Sequence, residues 1–190
     1  MKMSESQRIE APRQTVWEAL NDAEVLKASI PGCEELTKTS DTEMEAKVKL
    51  KVGPVKATFS GKVTLEDLKP PESYRIVGEG SGGVAGFAKG GAAVRLEEDG
   101  PDATILHYDV DAQIGGKIAQ LGARLIDSTA KRLAGEFFKN FGEQVVPSQP
   151  QEAEAEASDG EEAPTGEKKG WLGGLFGGKK EDNADDTATS

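Results

Sequence analysis

The sequence contains one cysteine and one histidine, and this scarcity limits its chemistry. A single cysteine, Cys33, excludes an internal disulfide and any C-x-x-C pair for a metal or a redox reaction. We interpret Cys33 as a passive thiol, with a redox or ligand-contact role as the alternative. The histidine, His107, falls on a strand position expected to face solvent, so no Ser–His or Cys–His pair is expected inside the fold. No cluster has metal-ligand spacing either, and the residues give catalysis little support.

Long apolar runs and basic stripes are also missing. Nowhere do about 18 apolar residues follow one another, so no helix is expected to span a bilayer. The N-terminus lacks the apolar stretch of a secretory signal, and a cytoplasmic protein is the expectation. The net charge of -11 and the pI of about 4.7 disfavour binding to nucleic-acid phosphates.

The 190 residues divide into two parts by charge and composition. Residues 1–146 hold 19 basic and 23 acidic side chains, a net of -4, whereas residues 147–190 hold 4 and 11, a net of -7. The first part has the length of one domain. Residues 147–167 contain seven acids and no base, which predicts a disordered linker, and residues 181–190 are predicted to be a disordered acidic end.

Hydrophobic periodicity in the first part predicts an α+β fold. Residues 1–9 are predicted to form a strand, and two short helices follow, one behind Pro12 and one over Ala23–Ser29. From Glu43 to Ile114 the apolar residues alternate with polar ones, as in an antiparallel sheet with one buried face. A long amphipathic helix is predicted to open at Gly115-Gly116 and to run to about Val145. Such a sheet needs this helix against its apolar face, which gives a helix-grip fold with a curved sheet around the C-terminal helix.

Small residues are frequent on the face of the sheet that should meet the helix. They leave two interpretations: either the helix packs very closely against the sheet, or a cavity remains for an apolar ligand. Alternation across residues 82–91 is ambiguous, so Phe87 is predicted to face either way. The candidate residues of an apolar binding cavity are Val48, Leu50, Ala57, Phe59, Gly61, Ile76, Gly78, Phe87, Ala92, Tyr108, Val110, Leu121 and Leu125.

A second signal lies in residues 168–180, where large apolar side chains share one face of a short helix between lysine pairs. Five glycines in this segment should keep it unfolded until it meets a surface. We predict a weak, reversible anchor that lies in the membrane interface, with docking on a partner protein or no function as alternatives. Its candidate residues are Lys168, Lys169, Trp171, Leu172, Leu175, Phe176, Lys179 and Lys180.

Several short motifs in residues 1–146 resemble the G subunit of carbon monoxide dehydrogenase, whose family is a branch of the START-like, polyketide-cyclase-like SRPBCC superfamily. They are Ala11-Pro12 through Trp17, the Ile30-Pro31-Gly32-Cys33-Glu34 segment, the Gly115–Gly122 segment at the opening of the last helix and Phe137-Phe138. The resemblance implies a non-enzymatic accessory protein that brings a molybdenum–copper carbon monoxide dehydrogenase, or a related molybdenum hydroxylase, to the cytoplasmic membrane. It also implies a hydrophobic ligand between sheet and helix.

Together these observations lead to the hypothesis of a protein attached peripherally to the inner face of the cytoplasmic membrane. Its cavity would take up a respiratory quinone such as menaquinone, which would accept electrons from the dehydrogenase. The available hydroxyls for the ligand's head group are those of Tyr74, Tyr108 and Ser81. A recruitment or assembly factor without a small ligand is the alternative, and a cyclase- or hydrolase-type enzyme is a third. No covalently bound cofactor, metal site or nucleic-acid partner is expected.

Overall fold

Seven antiparallel strands form one curved sheet, and three helices pack on one side of it. This computed structural model describes residues 1–146, so the segments 147–167, 168–180 and 181–190 discussed above lie outside the described residues. In sheet order the strands are β1, β7, β6, β5, β4, β3 and β2. Their bounds are β1 Lys2–Ile9, β2 Cys33–Lys38, β3 Glu43–Val52, β4 Val55–Lys69, β5 Ser73–Ser81, β6 Phe87–Glu98 and β7 Thr104–Gly115.

The helices are α1, Arg13–Leu20, α2, Ala23–Ser29, and α3, Ala123–Val145. Helix α1 begins directly after Pro12, which lacks the amide hydrogen that the first turn would leave unpaired. Asp22 caps the start of helix α2, since its carboxylate accepts hydrogen bonds from the amides of Glu24 and Val25 at 2.8 and 3.1 Å. The predicted α+β helix-grip fold is therefore confirmed. Within residues 1–146, no helix is long and apolar enough to cross a membrane.

The core lies at the end of the sheet where the β4–β5 and β6–β7 turns meet helix α1. Trp17 of α1 meets Tyr74 of β5 edge to face, with ring centroids 5.4 Å apart. Phe141, in the last part of α3, is fully buried in the same cluster. This packing fixes the C-terminal part of α3 on the sheet. The N-terminal part of α3 contributes no buried residue, since only Phe141 and Val145 of this helix are buried.

Two elements differ from what the hydrophobic pattern of the sequence predicted. The edge strand β2 has one inward apolar residue, Leu36, so its alternation is too short to be recognised. The last helix begins at Ala123 and not at Gly116, because Gly122 has a φ of 90° that interrupts the helix after a 3-10 turn over Ala119–Leu121.

Candidate functional site

A cavity of about 580 Å³ lies between the sheet and the helices. This volume falls within the range of about 300–1,000 Å³ that is typical of small-molecule sites. Space remains because the inward residues at the middle of the sheet are small: Ala46, Gly61, Gly80 and Ala92 all line the cavity. Of the two interpretations of these small residues, the structure has the open space.

Eight of the thirteen candidate residues line this cavity, and they come from five neighbouring strands. The eight are Val48, Leu50, Phe59, Gly61, Ile76, Ala92, Tyr108 and Val110. The other five, Ala57, Gly78, Phe87, Leu121 and Leu125, are not among its lining residues. Whether any of the thirteen contacts a ligand stays a prediction.

The five exceptions have local geometric reasons. Phe87 lies on the outer face of the sheet, where its ring covers Gly115 and where Ser60, Ser81 and Lys89 also lie. Above Gly78 there is no room, since a Cβ atom there would lie 2.7 Å from Cγ1 of Val63. The remaining three, Ala57, Leu121 and Leu125, lie near the β3–β4 turn, where Gly53 approaches Leu125 closely.

Two tyrosines supply the hydroxyl groups of the cavity wall. The Tyr108 hydroxyl donates a hydrogen bond to Oε2 of Glu5 at 3.3 Å. Burial raises the pKa of Tyr108, and the nearby Glu5 carboxylate raises it further. Within residues 1–146 we find no hydrogen-bond partner for the Tyr74 hydroxyl, and burial alone raises the pKa of this residue well above its usual value. Ser81, the third candidate hydroxyl, lies on the outer face. Tyr74 therefore offers the hydroxyl that is available to a ligand.

The cavity is closed at one end and open at the other. The inward residues at the closed end, Leu65, Tyr74, Val94 and Leu106, are all buried. The same strands lead to the β3–β4, β5–β6 and β7–α3 connections. Near these connections the inward residues are partly exposed, as Leu50 and Phe59 are. We call this side, where the three connections gather, the open end.

A family model and solved structures give the context for this geometry. The model that describes the G subunit of carbon monoxide dehydrogenase, CoxG, matches residues 6–146. The chain belongs to the CoxG family. This confirms the resemblance drawn from the sequence motifs. No match was found among curated proteins.

Solved structures share the fold of this chain. A conserved protein from Geobacillus kaustophilus is 28% identical, with a TM-score of 0.72, over 76% of this chain and 95% of that one. A START superfamily protein from Mycobacterium smegmatis is 15% identical, with a TM-score of 0.59, over 76% and 96%. The Zhui aromatase/cyclase from Streptomyces sp. R1128 is 14% identical, with a TM-score of 0.55, over 76% and 93%. The last two show the fold alone.

The cavity of this CoxG family member also contains residues that the strand pattern missed. Ile30 and Pro31 close one side between α2 and β2, and Phe137 and Phe138 cover another from α3. The Ile30-Pro31-Gly32 segment was noted as a family motif, and this was the available signal for its position. Helices α1 and α2 each add one leucine, Leu20 and Leu26.

Potentially reactive groups lie away from the cavity. His107 is on the outer face, 3.2 Å from the carboxylate of Glu97. Cys33 is partly exposed, and burial raises the pKa of its thiol, which keeps the less reactive neutral form at neutral pH. Among residues 1–146 no group of three or more His, Cys, Asp or Glu could hold a metal ion. The arrangement is suited to binding an uncharged apolar molecule.

Proposed function

We propose that this protein carries an isoprenoid quinone such as menaquinone in its cavity and links a carbon monoxide dehydrogenase, or a related molybdenum hydroxylase, to the cytoplasmic membrane. The observation that carries the proposal is the apolar cavity between sheet and helices, together with membership in the CoxG family. The family name supplies the dehydrogenase as partner. Attachment to the inner membrane face is assigned to the segment 168–180, which lies outside the described residues.

The chemistry of the wall favours an uncharged ligand. Among residues 1–146 no side chain with a formal charge lines the cavity, and burying a charge without a partner is costly. A phospholipid would have to leave its head group outside, whereas a quinone has no charged group. A quinone has carbonyl oxygens that accept hydrogen bonds and an aliphatic tail that needs only an apolar wall.

The residues present fit these two parts of a quinone. The Tyr74 hydroxyl, at the closed end, is a hydrogen-bond donor without another partner in residues 1–146, and it would hold a carbonyl oxygen. Val48, Leu50 and Phe59 line the way toward the open end and would contact the aliphatic tail. When bound, the quinone would supply the capacity to accept electrons; the protein would orient it and exclude water.

The test is to identify what the protein carries. The full chain is purified from a quinone-producing host, extracted with organic solvent and analysed by mass spectrometry. We expect one isoprenoid quinone, enriched over the quinone content of a control protein from the same host. Phospholipid alone, or no lipid, would contradict quinone carriage.

A matched pair of variants ties the ligand to the cavity. Ala92→Phe places a ring inside the cavity, and Ala93→Phe places the same ring on the exposed outer face of the same strand. We expect the first to lose the extracted quinone and the second to keep it. Undiminished electron transfer from the dehydrogenase to the membrane with Ala92→Phe, despite loss of the ligand, would favour a recruitment factor in which the cavity is structural.

A further inference from the structure

Charge is segregated between the two ends of the sheet. Three segments meet at the open end, residues 49–58, 81–89 and 112–126, and they carry six cationic side chains and no acidic one. Three turns lie at the closed end, residues 39–43, 66–73 and 97–103, and they carry nine acids and one lysine. Because the chain has a net charge of -11, a basic end is a local departure from its overall composition.

The three basic segments are in direct contact with one another. The Ile118 amide donates to the Ala85 carbonyl oxygen at 3.0 Å, which joins the β7–α3 connection to the β5–β6 turn. The β3–β4 turn reaches the start of α3, since a Cβ at Gly53 would lie 2.8 Å from Cδ2 of Leu125. The cations therefore belong to one surface around the mouth of the cavity.

Most cations of this surface have no ion-pair partner in residues 1–146. Lys49 pairs with Glu34 at 3.3 Å. The other five are exposed and unpaired within this range: Lys51, Lys56, Lys89, Lys117 and Arg124. Elsewhere in the domain several cations are paired; Arg13, for example, lies 3.0 Å from Glu98, and Arg95 lies 3.0 Å from Glu97. The open end thus keeps its positive charge available to an external anionic surface.

Two large apolar side chains are exposed beside these cations. Val84 is 85% exposed, within the 3-10 turn Gly83–Ala85, and Phe87 is 45% exposed just after it. The turn is held in place by Gly82, whose backbone lies against the ring of the cavity residue Phe59. Exposed apolar side chains among lysines are the composition that inserts into the interface of an anionic bilayer.

We propose that the open end of the cavity docks directly on an anionic lipid bilayer, with Val84 and Phe87 inserted among the head groups and the lysines above the lipid phosphates. The proposal deepens the proposed function, on which it rests, by naming the surface through which a membrane-derived ligand would enter. The acidic end then points away from the bilayer, which is the orientation that the segregated charges favour. A lipid surface fits better than an acidic protein because Val84 projects from a turn and does not line the cavity described above.

The test places a reporter on the turn in the full chain. In a Cys33→Ser background, Val84→Cys is labelled with an environment-sensitive fluorophore and mixed with phosphatidylcholine vesicles with or without phosphatidylglycerol. We expect emission to rise and shift to shorter wavelength with the anionic vesicles only. The control is Asp102→Cys, labelled in the same way at the exposed β6–β7 turn of the acidic end, and its emission should stay unchanged.

Substitutions that remove positive charge, made in the protein labelled at position 84, test the electrostatic part of the docking. One variant combines Lys51→Gln, Lys56→Gln and Lys89→Gln. We expect the lipid concentration for half-maximal emission at position 84 to rise in this variant, by about fivefold for each lysine replaced. The matched control neutralises three exposed cations elsewhere, Lys38→Gln, Lys69→Gln and Arg75→Gln, and should leave that concentration unchanged. An equal effect of both sets would overturn the proposal.

The outcomes separate this proposal from quinone carriage. Absence of a response at position 84, in protein that still sediments with the vesicles and still carries quinone, would overturn docking and leave the proposed function intact. A response at position 84 to the dehydrogenase and not to vesicles would overturn it in favour of a protein partner. A response to anionic vesicles in protein that carries no quinone would support docking and count against the ligand.

Discussion

Glu5 of β1 and Lys131 of α3 form an ion pair, with 3.1 Å between Oε1 and Nζ. The other carboxylate oxygen of Glu5 accepts the hydrogen bond from Tyr108 in the cavity wall. The pair joins the edge of the sheet to the part of α3 that has no buried side chain, residues 123–134. It therefore holds the helix over the cavity at the point where packing does little.

Glu5→Gln should loosen this part of α3 while the fold stays intact. The amide keeps an acceptor for Tyr108 but removes the charge that attracts Lys131. Because both side chains are partly exposed, we expect the free energy of unfolding to fall by less than about 1 kcal/mol. Amide hydrogen exchange should accelerate in residues 123–134 and stay unchanged near Phe141.

The control for this variant is Lys2→Gln, which removes an ion pair with Asp111 on the neighbouring strand. Both side chains of that pair are largely exposed, at 83% and 73%, so exchange in the helix should not change. Unchanged exchange in residues 123–134 of the Glu5→Gln protein would show that the ion pair does not restrain the helix.

Local patterns in the sequence predicted most of the fold. Alternation of apolar and polar residues over 43–65 and 104–114 predicted strands with one inward face. The strands of the structure are paired in a register that agrees with this alternation. Pro12 marked the start of α1, and the second helix was predicted over Ala23–Ser29, as α2 is observed. These predictions succeeded because each depends on neighbouring residues. The start of α3 failed because it depends on the backbone conformation of Gly122, which the sequence does not specify.

The site was less predictable because it depends on register and on long-range contacts. The glycines of residues 82–91 carry no alternation, so the face that holds Phe87 could not be chosen. The basic end was missed for a similar reason. Its segments, 49–58, 81–89 and 112–126, are far apart in the chain, and only the pairing of the strands brings them together.

Thr104→Val tests the packing of the closed end. Thr104 is fully buried, and its hydroxyl donates to the Ala11 carbonyl oxygen at 2.8 Å. Valine has the same shape but would leave this buried carbonyl without its partner. We expect the free energy of unfolding to fall by about 1–3 kcal/mol in urea titrations. Thr58→Val, at an exposed position of β4, is the control and should cost less than about 0.5 kcal/mol. Equal stability of the two variants would contradict the assigned hydrogen bond.

Alkaline pH should unfold the domain through its two tyrosines. The pKa of both Tyr74 and Tyr108 is raised in the folded protein, whereas in the unfolded chain each ionises near its ordinary value of about 10. The stabilising contribution is therefore fully present below that pH and is lost above it, by up to about 1.4 kcal/mol per pH unit for Tyr74. Phenolate absorbance and circular dichroism should change in one coincident transition. Ionisation of both tyrosines near pH 10 with the fold retained would contradict the assigned burial.

Tyr74→Phe separates the effect of the tyrosine hydroxyl on stability from its effect on quinone affinity. In the protein without ligand Tyr74 is a buried residue that lines the cavity, and its hydroxyl has no partner in residues 1–146, so its removal should leave the free energy of unfolding unchanged or raise it by about 1 kcal/mol. Quinone affinity should fall by about five- to tenfold, the value of one hydrogen bond of about 1 kcal/mol. Urea titration and quinone binding measured on the same protein give both quantities.

Tyr108→Phe is the matched control, since its hydroxyl already bonds to Glu5. This variant should lose stability, by about 1 kcal/mol, and keep its quinone affinity. The two tyrosines line one cavity and differ in whether the hydroxyl has a partner within residues 1–146. If both variants behave alike in both measurements, Tyr74 is a structural residue, and the ligand's polar group must be held elsewhere.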